Sequence, residues 1–118
     1  MKIGILLGDD IGLEVVPECV KVMKAAASRS GLTIDWRPLP IGKRGHEEHG
    51  DTLPAVTEQA LRGLDGWVCG PIGHATYPRN DPTWVMPPIR KKYELFAAIR
   101  PSLSHSNLKS IHNNVDIV

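Results

Sequence analysis

The chain has 118 residues, with 14 lysines and arginines against 13 aspartates and glutamates and a net charge of +1 at pH 7. That length suits one modest domain with a core and is too short for two. A near-neutral balance gives no long-range field to attract nucleic acid or an anionic membrane, and the N-terminus, with one lysine and a short apolar run that soon meets Asp9 and Asp10, fits neither a signal peptide nor a membrane span. The expectation is a cytoplasmic protein without nucleic-acid or membrane partners.

KIGILL, residues 2–7, is a continuous apolar run, the mark of a strand buried on both faces and therefore of a parallel or mixed sheet. From Leu13 the period changes: Val15, Val16, Cys19, Val20, Met23, Ala26 and Ala27 recur at three- and four-residue steps with Glu14, Glu18, Lys21 and Lys24 between them, which predicts an amphipathic helix. Its acids lie toward the N-terminus and its lysines later, complementing the helix dipole, and Gly31 supplies a stop. Pro17 is tolerable because it lies near the first turn. Both cysteines, Cys19 and Cys69, fall inside apolar patterns, which predicts buried, reduced thiols.

LTIDWRPLP alternates Leu32, Ile34 and Trp36 against Thr33, Asp35 and Arg37 and reads as a half-buried strand ended by prolines. IGKRGHEEHGDT is polar, a short exposed helix or a loop. Its His46 and His49 are three residues apart, where a zinc pair on a helix stands four apart, so a solvated face outweighs a metal site. Thr52 then precedes Pro54, and Val56, Ala60, Leu61 and Leu64 continue at helical spacing toward Gly63. Trp67, Val68 and Cys69 form a further buried strand that runs into Gly70-Pro71-Ile72-Gly73. YPRNDPTWVMPP has no periodicity and reads as a loop. IRKKYELFAAIRP passes from a helical turn into an apolar strand, LFAAI, that stops at Arg100, and NNVDIV begins one more strand. Strand, helix, strand, helix, strand is the pattern of an α/β layer fold with an open parallel or mixed sheet.

In such sheets ligands collect at the carboxyl ends of the strands. Those ends carry Gly8-Asp9-Asp10, then Gly70 to His74, then Arg100. Arg90 lies ten residues before Arg100, and two guanidiniums in one groove suit a small polycarboxylate, each planar fork taking one carboxylate through two parallel hydrogen bonds. Glu94, four residues after Arg90, offers the competing reading of an ion pair on a solvated helix face. GDDIG matches neither G-x-G-x-x-G nor a P-loop, so it does not support a Rossmann phosphate site. Read locally, it is a tight turn whose carboxylates stabilise the N-terminus of the helix that follows.

Together, GDDIGLEVVPECVKVMKAA, HGDTLPAVTEQAL, DGWVCGPIG and IRKKYELFAAIRP resemble the N-terminal part of the β-decarboxylating dehydrogenases, the family of isocitrate, isopropylmalate, homoisocitrate and tartrate dehydrogenases, in order and along essentially the whole chain. The resemblance implies an isopropylmalate dehydrogenase-like fold that is not Rossmann, with residues 1–118 as the first part of a single catalytic domain. It implies an enzyme that oxidises a malate-type 2-hydroxy acid with NAD or NADP and removes its β-carboxylate with the help of Mg2+ or Mn2+. Arg90 and Arg100 would hold substrate carboxylates. Ile11 would touch the cofactor's adenosine end, and Gly73, His74 and Thr83 would lie along the nicotinamide and its ribose. Asp10 stands where the family's opening G-D-G-I-G-P-E has glycine, and Leu13 where it has proline, so Asp10 must adopt a backbone conformation that glycine adopts more easily.

Trp84 and Met86 replace the serine and asparagine of isocitrate enzymes, and Thr83 replaces the glutamate of isopropylmalate enzymes, which leaves an alkyl-substituted or a small malate-like substrate open. The family's catalytic tyrosine and lysine and its metal-binding aspartates have no counterpart among these residues. The expectation is therefore no catalytic or metal-ligating residue within the chain, no turnover by these 118 residues alone, and a homodimer in the full-length enzyme. The alternative is a self-standing module that binds a small carboxylate or a nucleotide without chemistry. An unrelated flavodoxin-like domain would need a Ser/Thr-rich phosphate loop that the first turn lacks.

Overall fold

The computed structural model describes residues 1–73 and 86–118, in two units, residues 1–88 and 89–118. In the first, β1 (Lys2–Leu6) is the middle strand of a parallel sheet, with β2 (Asp35–Pro38) on one side and β3 (Gly66–Cys69) on the other. Ile3 stands opposite Trp36 and Gly66, and Ile5 opposite Pro38 and Val68. A middle strand has neighbours on both edges and helices on both faces, which is why KIGILL is apolar without alternation. Leu6 is completely buried and Ile3 nearly so.

The connection from β1 to β2 is α1 (Gly12–Arg29). Val16, Val20 and Ala27 form its buried stripe, while Val15 and Val22 are exposed. Cys19 is exposed too, contrary to expectation, and Cys69 is half-buried; both thiols are free. A three-stranded sheet covers a narrow stripe of a helix, and Cys19 lies beside that stripe instead of within it. Gly31, at φ +66°, is the left-handed residue that closes α1. Leu32 follows it and donates its N–H to the Ala27 carbonyl at 2.9 Å, completing a Schellman-type cap. That explains a second difference: the strand expected from Leu32 begins only at Asp35, because Leu32 belongs to the helix end and is exposed.

Between β2 and β3 run α2 (Gly42–His49) and α3 (Ala55–Leu61). The polar IGKRGHEEHGDT segment is thus a helix, with exposed Arg44–Glu48 and Lys43–Glu47 pairs one turn apart and Gly50 as its left-handed cap. In α3 the buried positions are Thr57 and Leu61, whereas Val56 points to solvent. Burial of Thr57 is tolerated because its hydroxyl donates to the Pro40 carbonyl at 2.5 Å. On this face of the sheet Gly4 makes room: a β-carbon there would stand 2.8 Å from Leu64 Cδ1. On the opposite face Ile5 and Leu7 line an apolar cavity of about 240 Å³ with Pro17 and Val20 of α1.

The boundary between the units falls within α4 (Met86–Lys92), which takes Met86, Pro87 and Pro88 out of the loop expected there; the rest of that loop lies outside the described residues. Glu94, at φ +51°, ends the helical turn, and Leu95 donates its N–H to the Arg90 carbonyl at 2.9 Å. Residues 95–100 are irregular and exposed, Phe96 fully so. The strand expected over LFAAI does not form, because among the described residues no segment offers it a ladder of hydrogen bonds. β4 (Ser102–Leu103) and β5 (Asp116–Ile117) pair antiparallel, so NNVDIV does begin a strand. No helix among the described residues is long and apolar enough to cross a membrane.

Replacing Leu6 by alanine removes the largest fully buried side chain of β1 and is expected to destabilise the first unit by about 3 kcal/mol. Val22→Ala, on the exposed side of α1, is expected to stay within about 0.5 kcal/mol of the parent. Urea unfolding followed by tryptophan fluorescence measures both.

Candidate functional site

Strand order β2-β1-β3 means that the chain leaves β1 toward one side while the sheet continues on the other, and in open α/β sheets the crevice beyond the carboxyl ends at such a reversal is where ligands bind. Here the crevice is built around a carboxylate of the protein itself. Asp9 is 4 % exposed. Its Oδ1 accepts the backbone N–H of Lys43 at 2.7 Å, and its Oδ2 accepts the backbone N–H of Gly73 at 2.8 Å. Its own N–H donates to the Pro71 carbonyl at 2.7 Å, and its carbonyl accepts Gly12 N–H at 2.8 Å. One residue thus joins the end of β1, the start of α1, the turn after β3 and the first turn of α2.

Glycines make this junction possible. Gly42, at φ +67°, has no β-carbon, and one there would stand 2.5 Å from Asp9 Oδ1. Gly42 is held in turn by its N–H, which donates to the buried Thr52 carbonyl at 2.8 Å. A β-carbon on Gly73 would collide with the Asp10 carboxylate. Asp10 itself sits at φ +47°, the left-handed conformation that its place in the turn led us to expect.

The local reading of GDDIG is corrected on one point. The N-cap of α1 is Ile11, and no side chain caps that helix. The buried carboxylate stabilises the N-terminus of α2 instead, where unsatisfied N–H groups and the helix dipole favour an anion. Sequence reasoning missed this because Lys43 and Gly73 lie 34 and 64 residues from Asp9. The available signal was that, of two adjacent aspartates, Asp9 alone matches the family motif.

Ile11, which follows Asp10 in the turn, has 54 % of its surface exposed. A cavity of about 390 Å³ is lined by Gly8, Asp9, Asp10 and Leu13 of the turn and by Lys43, Arg44 and Glu47 of α2. His74, Thr83 and Trp84 lie outside the described residues. Arg90, on α4, and Arg100, in the irregular segment beyond it, are both exposed. Glu94 is not on the face of the helix beside Arg90, because its left-handed conformation ends the helical turn, and among the described contacts the two form no ion pair. His46 and His49 sit on α2 among its charged side chains.

For a nicotinamide dinucleotide, this donor set suits a nucleoside more than a pyrophosphate: two carboxylates lie at the turn, Lys43 and Arg44 face Glu47 and Glu48, and Gly73 N–H is already engaged by Asp9. Ile11 offers a flat base or ribose an apolar contact. Among the described residues no group of three or more His, Cys, Asp or Glu side chains is placed to hold a metal ion.

The structure defines an α/β protein with an open parallel sheet and an internally neutralised crevice at the strand ends. The family model for isocitrate/isopropylmalate dehydrogenase matches residues 2–118, and the chain belongs to that family. It is 38 % identical over 114 residues to the 3-isopropylmalate dehydrogenase of Thiobacillus denitrificans, covering 93 % of this chain and 32 % of the relative. Identity is 32 % over 112 residues with the Moorella thermoacetica enzyme of that name, covering 91 % and 31 %, and 35 % over 111 residues with that of Ralstonia nicotianae, covering 91 % and 30 %. The chain spans about a third of the length of these curated relatives.

Burial, and secondarily the Asp9 carboxylate, push the Cys69 thiol above its ordinary pKa. A folded thiol that keeps its proton longer than the unfolded one adds stability below the ordinary thiol range, and that stability is lost as pH rises through the folded value. Cys69→Ala is therefore expected to flatten the alkaline decline in urea midpoint. Peptide mapping after brief iodoacetamide treatment at pH 8 is expected to find Cys19 alkylated well ahead of Cys69.

Proposed function

We propose that this chain forms the N-terminal part of the catalytic domain of an NAD(P)-dependent decarboxylating dehydrogenase that acts on a malate-type 2-hydroxy acid. The observation that carries this reading is the family match across residues 2–118. The name borne by the relatives, 3-isopropylmalate dehydrogenase, favours an alkyl-substituted malate over malate or tartrate, and these over isocitrate.

In this reading the guanidiniums of Arg90 and Arg100 each take a substrate carboxylate through two parallel hydrogen bonds, which orients the carbon that is oxidised. Ile11 covers the adenosine end of NAD or NADP, and Gly73, His74 and Thr83 line the nicotinamide end. The nicotinamide, when bound, accepts the hydride. Mg2+ or Mn2+ would be held by residues outside these 118, so this part of the enzyme binds and positions. The working enzyme is a homodimer, and the 118 residues alone do not turn over.

The test uses the polypeptide at its native length, assayed for nicotinamide reduction with manganese and a panel of isopropylmalate, malate, tartrate and isocitrate. Turnover led by isopropylmalate is expected. No reduction with any acid, or a preference for isocitrate, would overturn the reading. Arg100→Lys, which loses the planar fork, is expected to raise KM for the acid about tenfold or more.

A further inference from the structure

Asp9 is buried, lines the cavity at the first turn, and holds two backbone N–H groups from distant segments with its carboxylate oxygens. One of the amides that it holds belongs to Gly73, the residue before His74, at the entrance to the segment that the proposed function sets beside the nicotinamide. The other belongs to Lys43 in the first turn of α2, which lines the cavity opposite the turn after β1. The two oxygens of a single carboxylate thus tie the turn after β3 to the first turn of α2.

We infer that Asp9 is a positioning residue for the cofactor, one whose carboxylate sets the distance between the turn after β3 and the first turn of α2 and so the shape of the cleft that receives the nicotinamide dinucleotide. The inference rests on the dehydrogenase reading. It separates Asp9 from an ordinary core residue in a specific way. An oxygen on each side is required, because both partners are N–H donors with no acceptor to offer. Asparagine keeps the size and one acceptor, but it must turn an NH2 toward either Lys43 N–H or Gly73 N–H, so one wall is released while the fold around it is retained. Gly42→Ala acts on the same carboxylate from outside, since the new β-carbon would stand 2.5 Å from Asp9 Oδ1.

The experiment compares four forms of the native-length enzyme: wild type, Asp9→Asn, Gly42→Ala, and Val20→Ala as a core variant of α1 that is remote from the carboxylate. Amide hydrogen exchange is read for residues 42–46 and 70–73, and steady-state kinetics are run with the cofactor and the 2-hydroxy acid varied in turn. The expected result is faster exchange in at least one of the two segments for Asp9→Asn and Gly42→Ala, with KM for the cofactor raised about tenfold or more and KM for the acid little changed. Val20→Ala is expected to lower Tm without that split. If Asp9→Asn shifts both KM values together, or leaves exchange at both segments as in wild type, Asp9 is only a structural residue and the inference fails. If the wild type reduces no nicotinamide, the dehydrogenase reading fails, and the inference falls with it.

Discussion

A single buried carboxylate, Asp9, holds together the carboxyl ends of β1 and β3 and the first turns of α1 and α2. Its two oxygens accept amides from the start of α2 and from the turn after β3, while its own backbone ties the end of β1 to Pro71 and to α1. Charge-assisted bonds of this kind are stronger than neutral ones, and removing one partner strands a buried charge. The glycines at positions 42 and 73 follow from this constraint. Each stands where a side chain would run into an aspartate.

In many nucleotide-binding α/β proteins the turn after the first strand, together with a helix N-terminus, binds a phosphate. In this protein that electrostatic role is taken by an internal anion. An acidic turn at the ligand edge therefore involves no contradiction. The negative charge neutralises the protein's own unsatisfied amides, and the apolar side chain that the turn exposes is Ile11.

Much of the first unit is legible because its strands and its long helix carry clear periodicity: KIGILL, GWVC and α1 form the elements the pattern predicts, although GWVC is half-buried where a buried strand is expected, and of the apolar positions named in α1 only Val16, Val20 and Ala27 are buried. What was not legible depended on partners distant in sequence. Cys19 and Val56 look like core positions in a helical pattern, yet a three-stranded sheet covers only part of each helix, and Thr57 is buried in place of Val56 because Pro40 offers it an acceptor. Leu32 was assigned to a strand by alternation, whereas Gly31 draws it into the cap of α1. LFAAI is apolar enough for a strand, but propensity does not supply the ladder that a strand requires. At the site, Asp10 and its left-handed backbone were visible in the motif. The bonds of Asp9 were not, because no local rule joins residues 34 and 64 positions apart.

Those long separations also bear on the order in which the molecule assembles. Loop closure precedes any gain from a contact, so contacts of low sequence separation form readily and distant ones wait for the elements that bring them together. The hydrogen bond between Asp9 and Gly73 cannot form until β3 has paired with β1, and the bond to Lys43 requires α2 to have returned from β2. The turn that follows β1 is therefore among the last parts of the first unit to reach its final form. Until then its aspartates remain hydrated on an open loop, and the ligand edge exists only once the sheet is complete.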